Sequence, residues 1–114
     1  MNFLWTTLQV NDLDASLVFY RDRLGLELDT LFEGEARIAF LGRGETKLEL
    51  LEGAAKPSPT VSLGFQVEDL AAWRDKLSDY SPSEMISPSP GLTFCFFVDP
   101  DGYLVQLVEM GQND

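Results

Sequence analysis

The sequence predicts an α+β fold. Two tandem βαβββ modules, residues 1–57 and 58–114, would form an incompletely closed eight-stranded cup with the helices outside. Three observations predict it. The first is an echo: LQVNDL at 8–13 returns as FQVEDL at 65–70, an offset of 57. Extended without gaps, that offset matches identical residues at 11 of 57 positions, including Gln9/Gln66, Asp12/Asp69, Phe40/Phe97 and Glu52/Glu109. Ordinary composition would give about three or four. The second is that each half reads as a strand, an amphipathic helix and three further strands. The third is punctuation by turn residues at corresponding places.

The elements follow in order. FLWTTLQV at 3–10 is rich in strand formers, with Leu4, Leu8 and Val10 on one face and Trp5, Thr7 and Gln9 on the other. Asn11 or Asp12 caps a helix over 13–24, whose stripe is Leu13, Leu17, Tyr20 and Leu24. Gly25 is placed to end it in the left-handed region. Strands are expected at 26–32, 36–42 and 46–52, with turns at Glu33-Gly34 and Arg43-Gly44. PSP at 57–59 reads as the linker.

The second module repeats the plan. It has a strand at 60–67, a cap at Asp69 and a helix stripe of Leu70, Trp73 and Leu77. Strands follow at 82–87, 92–98 and 103–109, with PSP at 88–90 as a loop, DPDG at 99–102 as a turn and 110–114 as a frayed tail. In the last strand of each module, Leu48 and Leu50, or Val105 and Leu107, face the helix. Lys47, Glu49 and Leu51, or Leu104, Gln106 and Val108, face away and line the cup.

Composition excludes several function classes. The 114 residues are 45% hydrophobic and contain no apolar run long enough to span a bilayer. The start, MNFLWTTLQV, lacks the basic region of a secretory signal. The net charge of −11 disfavours nucleic acid and anionic membranes and suits cationic ligands. One cysteine, Cys95, allows no internal disulfide, so a reducing cytoplasm is the expected compartment. Cys95 sits in FCFF and reads as a buried, inert thiol. There is no histidine, so the usual general base and a common metal ligand are both missing. GRGE at 42–45 reads as a hairpin turn, since no helix follows to hold a phosphate.

Two βαβββ units, the opening VNDLDASLVFYRDRLG and the close DPDGYLVQL resemble the vicinal oxygen chelate superfamily, the group of glyoxalase I, bleomycin-resistance proteins and extradiol dioxygenases. The resemblance implies the tandem fold, a homodimer and a small-molecule ligand. In metal-dependent members it implies four ligands, one on each module's first and last strands. Those positions are Trp5, Glu49, Ser62 and Gln106 here, and the 57-residue offset independently pairs Trp5 with Ser62 and Glu49 with Gln106. Only Glu49 is a strong ligand for a divalent ion. No metal and no other cofactor is therefore expected.

The expected site is instead a ligand-binding set of Trp5, Thr7, Glu49, Ser62 and Gln106. Trp5 can stack on a planar ligand or lie over a cation, Glu49 can pair with a cation, and Gln106 can both donate and accept. Structural roles compete with each assignment: Trp5 as core filling, Glu49 as a charge paired with Lys47 or Arg37, and Ser62 and Gln106 as framework. Three functions follow. The first is a metal-free binder of a cationic or aromatic compound. The second is a metal-independent lyase or isomerase with Glu49 as general base. The third is a structural or regulatory domain with a filled cup.

Overall fold

Alternation in WTTLQV makes the first strand, β1 (Trp5–Val10), burying Leu8 and Val10 and exposing Trp5, Thr7 and Gln9. The computed structural model describes residues 1–111. The first module continues with α1 (Leu13–Leu17), β2 (Leu28–Glu33), β3 (Arg37–Leu41) and β4 (Lys47–Glu52). The second holds β5 (Ser62–Gln66), α2 (Leu70–Lys76), β6 (Ile86–Ser89), β7 (Leu92–Val98) and β8 (Leu104–Met110). The chain divides into two compact units between Lys56 and Pro57.

The strands form two separate four-stranded mixed sheets, ordered β1-β4-β3-β2 and β5-β8-β7-β6, with no closed barrel. In each, the first strand runs parallel to the last, and the other pairings are antiparallel. The helical side of the first sheet buries Leu48, Leu50 and Ala39; that of the second buries Val105, Leu107, Cys95 and Phe97. Both follow from the period of two in the last strands.

Each helix begins on carboxylates. Asp12 is the first cap, its Oδ1 accepting from the Asp14 and Ala15 amides at 3.0 and 3.3 Å. Asp69 accepts from the Ala72 amide at 3.1 Å. The first helical amide is met from further away: Leu13 N–H donates to Glu52 Oε2, and Leu70 N–H to Glu109 Oε1, both at 2.9 Å. Glu52 and Glu109 are one of the identical pairs of the 57-residue echo. Asn11 is not the cap; its Oδ1 accepts from the Ala55 amide at 2.9 Å. Arg37 gathers Asp14, Glu33 and Glu52 at 3.0, 3.1 and 3.3 Å, and the bonds to Asp14 and Glu33 hold its guanidinium above its ordinary pKa.

Four expectations are corrected. The helix predicted over 13–24 is α-helical only to Leu17 and π-helical over Val18–Arg23. Phe19 and Tyr20 are adjacent, both fully buried, with rings edge-to-face at 4.7 Å. A regular helix turns about 100° per residue, and the wider π-turn brings neighbouring side chains closer to one direction. Leu24 N–H then donates back five residues to Phe19 O at 2.9 Å, and Gly25 closes the segment at φ 86°.

The strand predicted over 82–87 lies at Ile86–Ser89 and includes Pro88, which was expected in a loop. Proline is tolerated because β6 is an edge strand. Ser83 docks upstream instead, its amide donating to Phe96 O and its Oγ accepting from Phe96 N–H, both at 2.8 Å. The predicted tail is ordered at its start: Met110 ends β8, and Gly111 N–H donates to Gly91 O at 2.6 Å. Its remainder, 112–114, lies outside the described residues.

The fourth correction concerns register. Leu41 pairs with Leu48, but Phe97 pairs with Val105, so the second hairpin holds one more residue. The counterpart of Phe40, opposite Glu49, is therefore Phe96, opposite Gln106. The Phe40/Phe97 identity joins residues on opposite faces.

Glu109→Ala leaves the half-buried Leu70 amide without its charged acceptor, and stability should fall by about 1–2 kcal/mol, read from the urea midpoint. Glu109→Gln, which keeps an acceptor, should cost less. Equal midpoints for all three proteins would show that water serves that amide as well.

Candidate functional site

On the first sheet, the face away from the helix joins three of the predicted residues. Thr7 lies opposite Glu49 in the parallel β1–β4 register, and its hydroxyl donates to Glu49 Oε1. Trp5 sits two residues earlier on β1, opposite Lys47. Its ring meets Phe40 edge-on at 5.4 Å, and Phe40 meets Phe32 edge-on at 6.3 Å. Phe40 is the register partner of Glu49 on the other side. The result is a row of three rings beside one carboxylate.

The structural roles considered for Trp5 and Glu49 do not hold. Trp5 is 47% exposed and fills no core. Lys47 Nζ donates to Gly42 O at 2.6 Å and lies 3.9 Å from Asp29, while Arg37 serves Asp14, Glu33 and Glu52. Neither neutralises Glu49, and Glu49 Oε2 has no partner among the described residues. Phe40 and Phe32 join the candidate residues on this face, and the sequence reading did not single them out. Counting outward from Glu49 across the Arg43-Gly44 hairpin could have placed Phe40, but the hairpin register was not readable.

The second sheet places Ser62 and Gln106 on its own open face. Ser62 pairs with Leu104, and Gln106 pairs with Gly64 on one side and Phe96 on the other. Ser62 and Gln106 are not bonded to each other, and the Gln106 side-chain amide has no hydrogen bond to another described residue. Phe94 and Phe96 meet edge-on at 5.7 Å.

A further depression of about 420 Å3 is bordered by Glu27, Asp29, Gly42, Arg43 and Lys47. Its charges are already spent on Arg43–Glu27, Lys47–Asp29 and the Lys47–Gly42 bond. Each of its charged side chains thus already has an opposite charge beside it. Among the exposed charges of the first helical segment, Arg21 pairs with Asp22 at 2.9 Å, which raises the guanidinium pKa and lowers that of the carboxyl.

Two tandem strand–helix–three-strand units, with side chains presented on the open sheet faces, define the class. The family model described as Glyoxalase/Bleomycin resistance protein/Dioxygenase superfamily matches residues 2–107, and the chain belongs to that superfamily. It is similar to a protein named probable lactoylglutathione lyase from Synechocystis sp., 34% identical over 96% of this chain and 95% of that one. It is similar in structure to the trypanothione-dependent glyoxalase I of Leishmania major, at 28% identity and a TM-score of 0.80, covering 96% of this chain and 86% of that one. It shares its fold with TnmS3, an antibiotic binding protein from Streptomyces sp. CB03234, at 19% identity and a TM-score of 0.80, over 97% of each chain.

The residues at the four positions that the family resemblance assigns to a metal do not fit one. The Trp5 indole has no lone pair to give, and its ring lies against Phe40. One Glu49 oxygen is held by Thr7. Ser62 is a neutral hydroxyl and Gln106 supplies one carbonyl. Among the described residues no three Asp, Glu or Cys side chains gather to hold an ion.

Cys95 lies fully buried in β7. Burial raises its thiol above the ordinary value of 9.0, opposed by the weaker pull of the Arg74 guanidinium. A thiol raised by folding contributes stability that is fully present below 9.0 and lost as pH rises through its folded value. The native protein should therefore lose stability above pH 9 more steeply than Cys95→Ala, in paired urea titrations. Cys95 should also resist a water-soluble aromatic disulfide reagent at pH 8 until the protein is unfolded.

Proposed function

We propose that the chain is a metal-independent small-molecule-binding protein of its superfamily, holding a cationic aromatic compound on the open face of its first module. One observation carries this: Glu49 presents an uncommitted oxygen beside the exposed indole of Trp5. A cation over Trp5 gains roughly 0.5–2 kcal/mol from the ring face, and the carboxylate adds charge pairing. The Thr7 hydroxyl fixes which oxygen remains available. Phe40 and Phe32 extend the apolar surface for the ligand's body. The acidic chain favours approach of cations. A reducing cytoplasm and a homodimer complete the proposal, the former supported by a single buried thiol.

A second reading rests on the 34% identity with a probable lactoylglutathione lyase. Glu49 would then act as a general base in a metal-independent lyase or isomerase. The Thr7–Glu49 bond orients a carboxylate for that role. The electrophile is the weak point, since Thr7, the donor in register with Glu49, is a neutral hydroxyl.

The test uses proflavine, a flat cation, and Trp5 fluorescence in a Trp73→Phe background. Saturable quenching is expected, weakened about tenfold, or ~1.4 kcal/mol, by Glu49→Gln, with the melting temperature kept. Trp5→Leu, followed by proflavine's own fluorescence, should weaken it comparably. Zinc and nickel should not shift the melting temperature. No saturable binding of proflavine or other cationic aromatics would sink the proposal. Turnover of a carbonyl substrate in the presence of chelator, lost in Glu49→Gln with binding retained, would establish the second reading.

A further inference from the structure

We infer that Gly64 keeps the second sheet bare beside Gln106, so that a flat, uncharged amide or aromatic carbonyl group lies against β5 and hydrogen-bonds the Gln106 side chain. This deepens the reading of the chain as a small-molecule binder but does not depend on the cation site at Glu49.

Three observations meet at one register position. Gly64 stands in the interior of β5, directly opposite Gln106, which is opposite Phe96. A glycine inside a strand weakens it and commonly marks the close approach of a ligand or another backbone. Nothing in the local geometry demands glycine here. Gly64 does not have the positive φ of Gly25, Gly42, Gly91 or Gly102. A Cβ added to it would meet only Gln106 Oε1, at 3.6 Å, an ordinary contact. The missing side chain therefore leaves room, beside the Gln106 amide, that a Cβ would take up without a clash.

The second observation is the Gln106 amide. It is half-buried, offers both a donor and an acceptor, and bonds to no other described residue. Gln106 also lies on the face away from the buried Val105 and Leu107, so it serves no helix contact. A planar partner that can both accept and donate matches it.

The third is charge. Residues 57–114 contain two cations, Arg74 and Lys76, against nine carboxylates, a net −7. None of these lies at the face positions in register with Ser62, Gly64 and Gln66. Gln66, Ser62 and Gln106 are the polar side chains there, beside the edge-on pair Phe94 and Phe96. A face kept neutral within an acidic module suits an uncharged group, and Phe96 supplies the apolar wall for its ring.

The experiment titrates the isotope-labelled protein with benzamide and, separately, with ethylbenzene, which has a similar shape but no amide. Benzamide should shift the Gln106 side-chain NH2 and the Gly64 backbone amide in the NMR spectrum. Gly64→Val restores a strand-forming side chain, so the melting temperature should hold or rise. Benzamide binding should nevertheless weaken at least about tenfold, because the valine occupies the ligand's space. Gly64→Ala should lie between. Gln106→Leu should bind benzamide and ethylbenzene alike. Benzamide affinity within about twofold of the parent in Gly64→Val, or no response of the Gln106 amide, would overturn the inference. Loss of proflavine binding with benzamide binding intact would refute the cation site and leave this one standing.

Discussion

Each module depends on one carboxylate reaching back from its last strand to the first amide of its helix. A helix start leaves its first N–H groups without internal partners. Caps at Asp12 and Asp69 meet some of them, and Glu52 and Glu109 meet the amides of Leu13 and Leu70. The bond does more than satisfy a donor. It ties β4 to α1 and β8 to α2 across 39 residues of chain. It also fixes parity: with Glu52 on the helical side, Leu48 and Leu50 must be buried and Glu49 must face away. The same step from Glu109 buries Val105 and Leu107 and turns Gln106 outward. The outward placement of Glu49 and Gln106 thus shares its parity with the helix cap.

That separation lets the two faces of a sheet carry different demands. The helical faces are nearly interchangeable between modules, with Leu48, Leu50, Val105 and Leu107 performing the same apolar burial. The open faces differ in chemistry. The first pairs a carboxylate with an exposed indole and two phenyl rings; the second pairs an amide with two phenyl rings and a bare glycine. Because the core and the cap lie on the other side, exchanging an ion ligand for Trp5 or Gln106 need not disturb folding. The family membership and the unsuitable donor set are therefore compatible within one chain.

The sequence carried most of the architecture because the repeated signals are local. Alternation, capping aspartates and turn residues are each read within a few residues, and they place seven of eight strands near their observed positions. It failed where tertiary packing decides. No local pattern announces that Phe19 and Tyr20 will both be buried and widen the helix. Proline flanks argued against β6, yet an edge strand has amides that need no partner. The ungapped repeat misled at one point, since a single extra residue in the β7–β8 hairpin makes Phe96, not Phe97, the counterpart of Phe40. Of the site, Thr7, Trp5 and Glu49 were readable because parity alone places them; Phe40 and Phe32 required the pairing of β3.

The Thr7–Glu49 bond shows how a carboxylate can stand on a face whose other residues do not suit an ion. An isolated carboxylate on an apolar sheet face would lose hydration without compensation. Thr7 supplies one hydrogen bond directly across the parallel register, and solvent at the exposed face can serve the other oxygen. Lys47, the nearest cation on that strand face, is drawn away by the Gly42 carbonyl, so the negative charge is left in place rather than cancelled. A charge that is positioned but not neutralised, beside a ring whose face attracts cations, is the electrostatic complement of a cationic ligand. The Thr7–Glu49 hydrogen bond is therefore compatible with the proposed ligand, because it leaves Oε2 uncommitted.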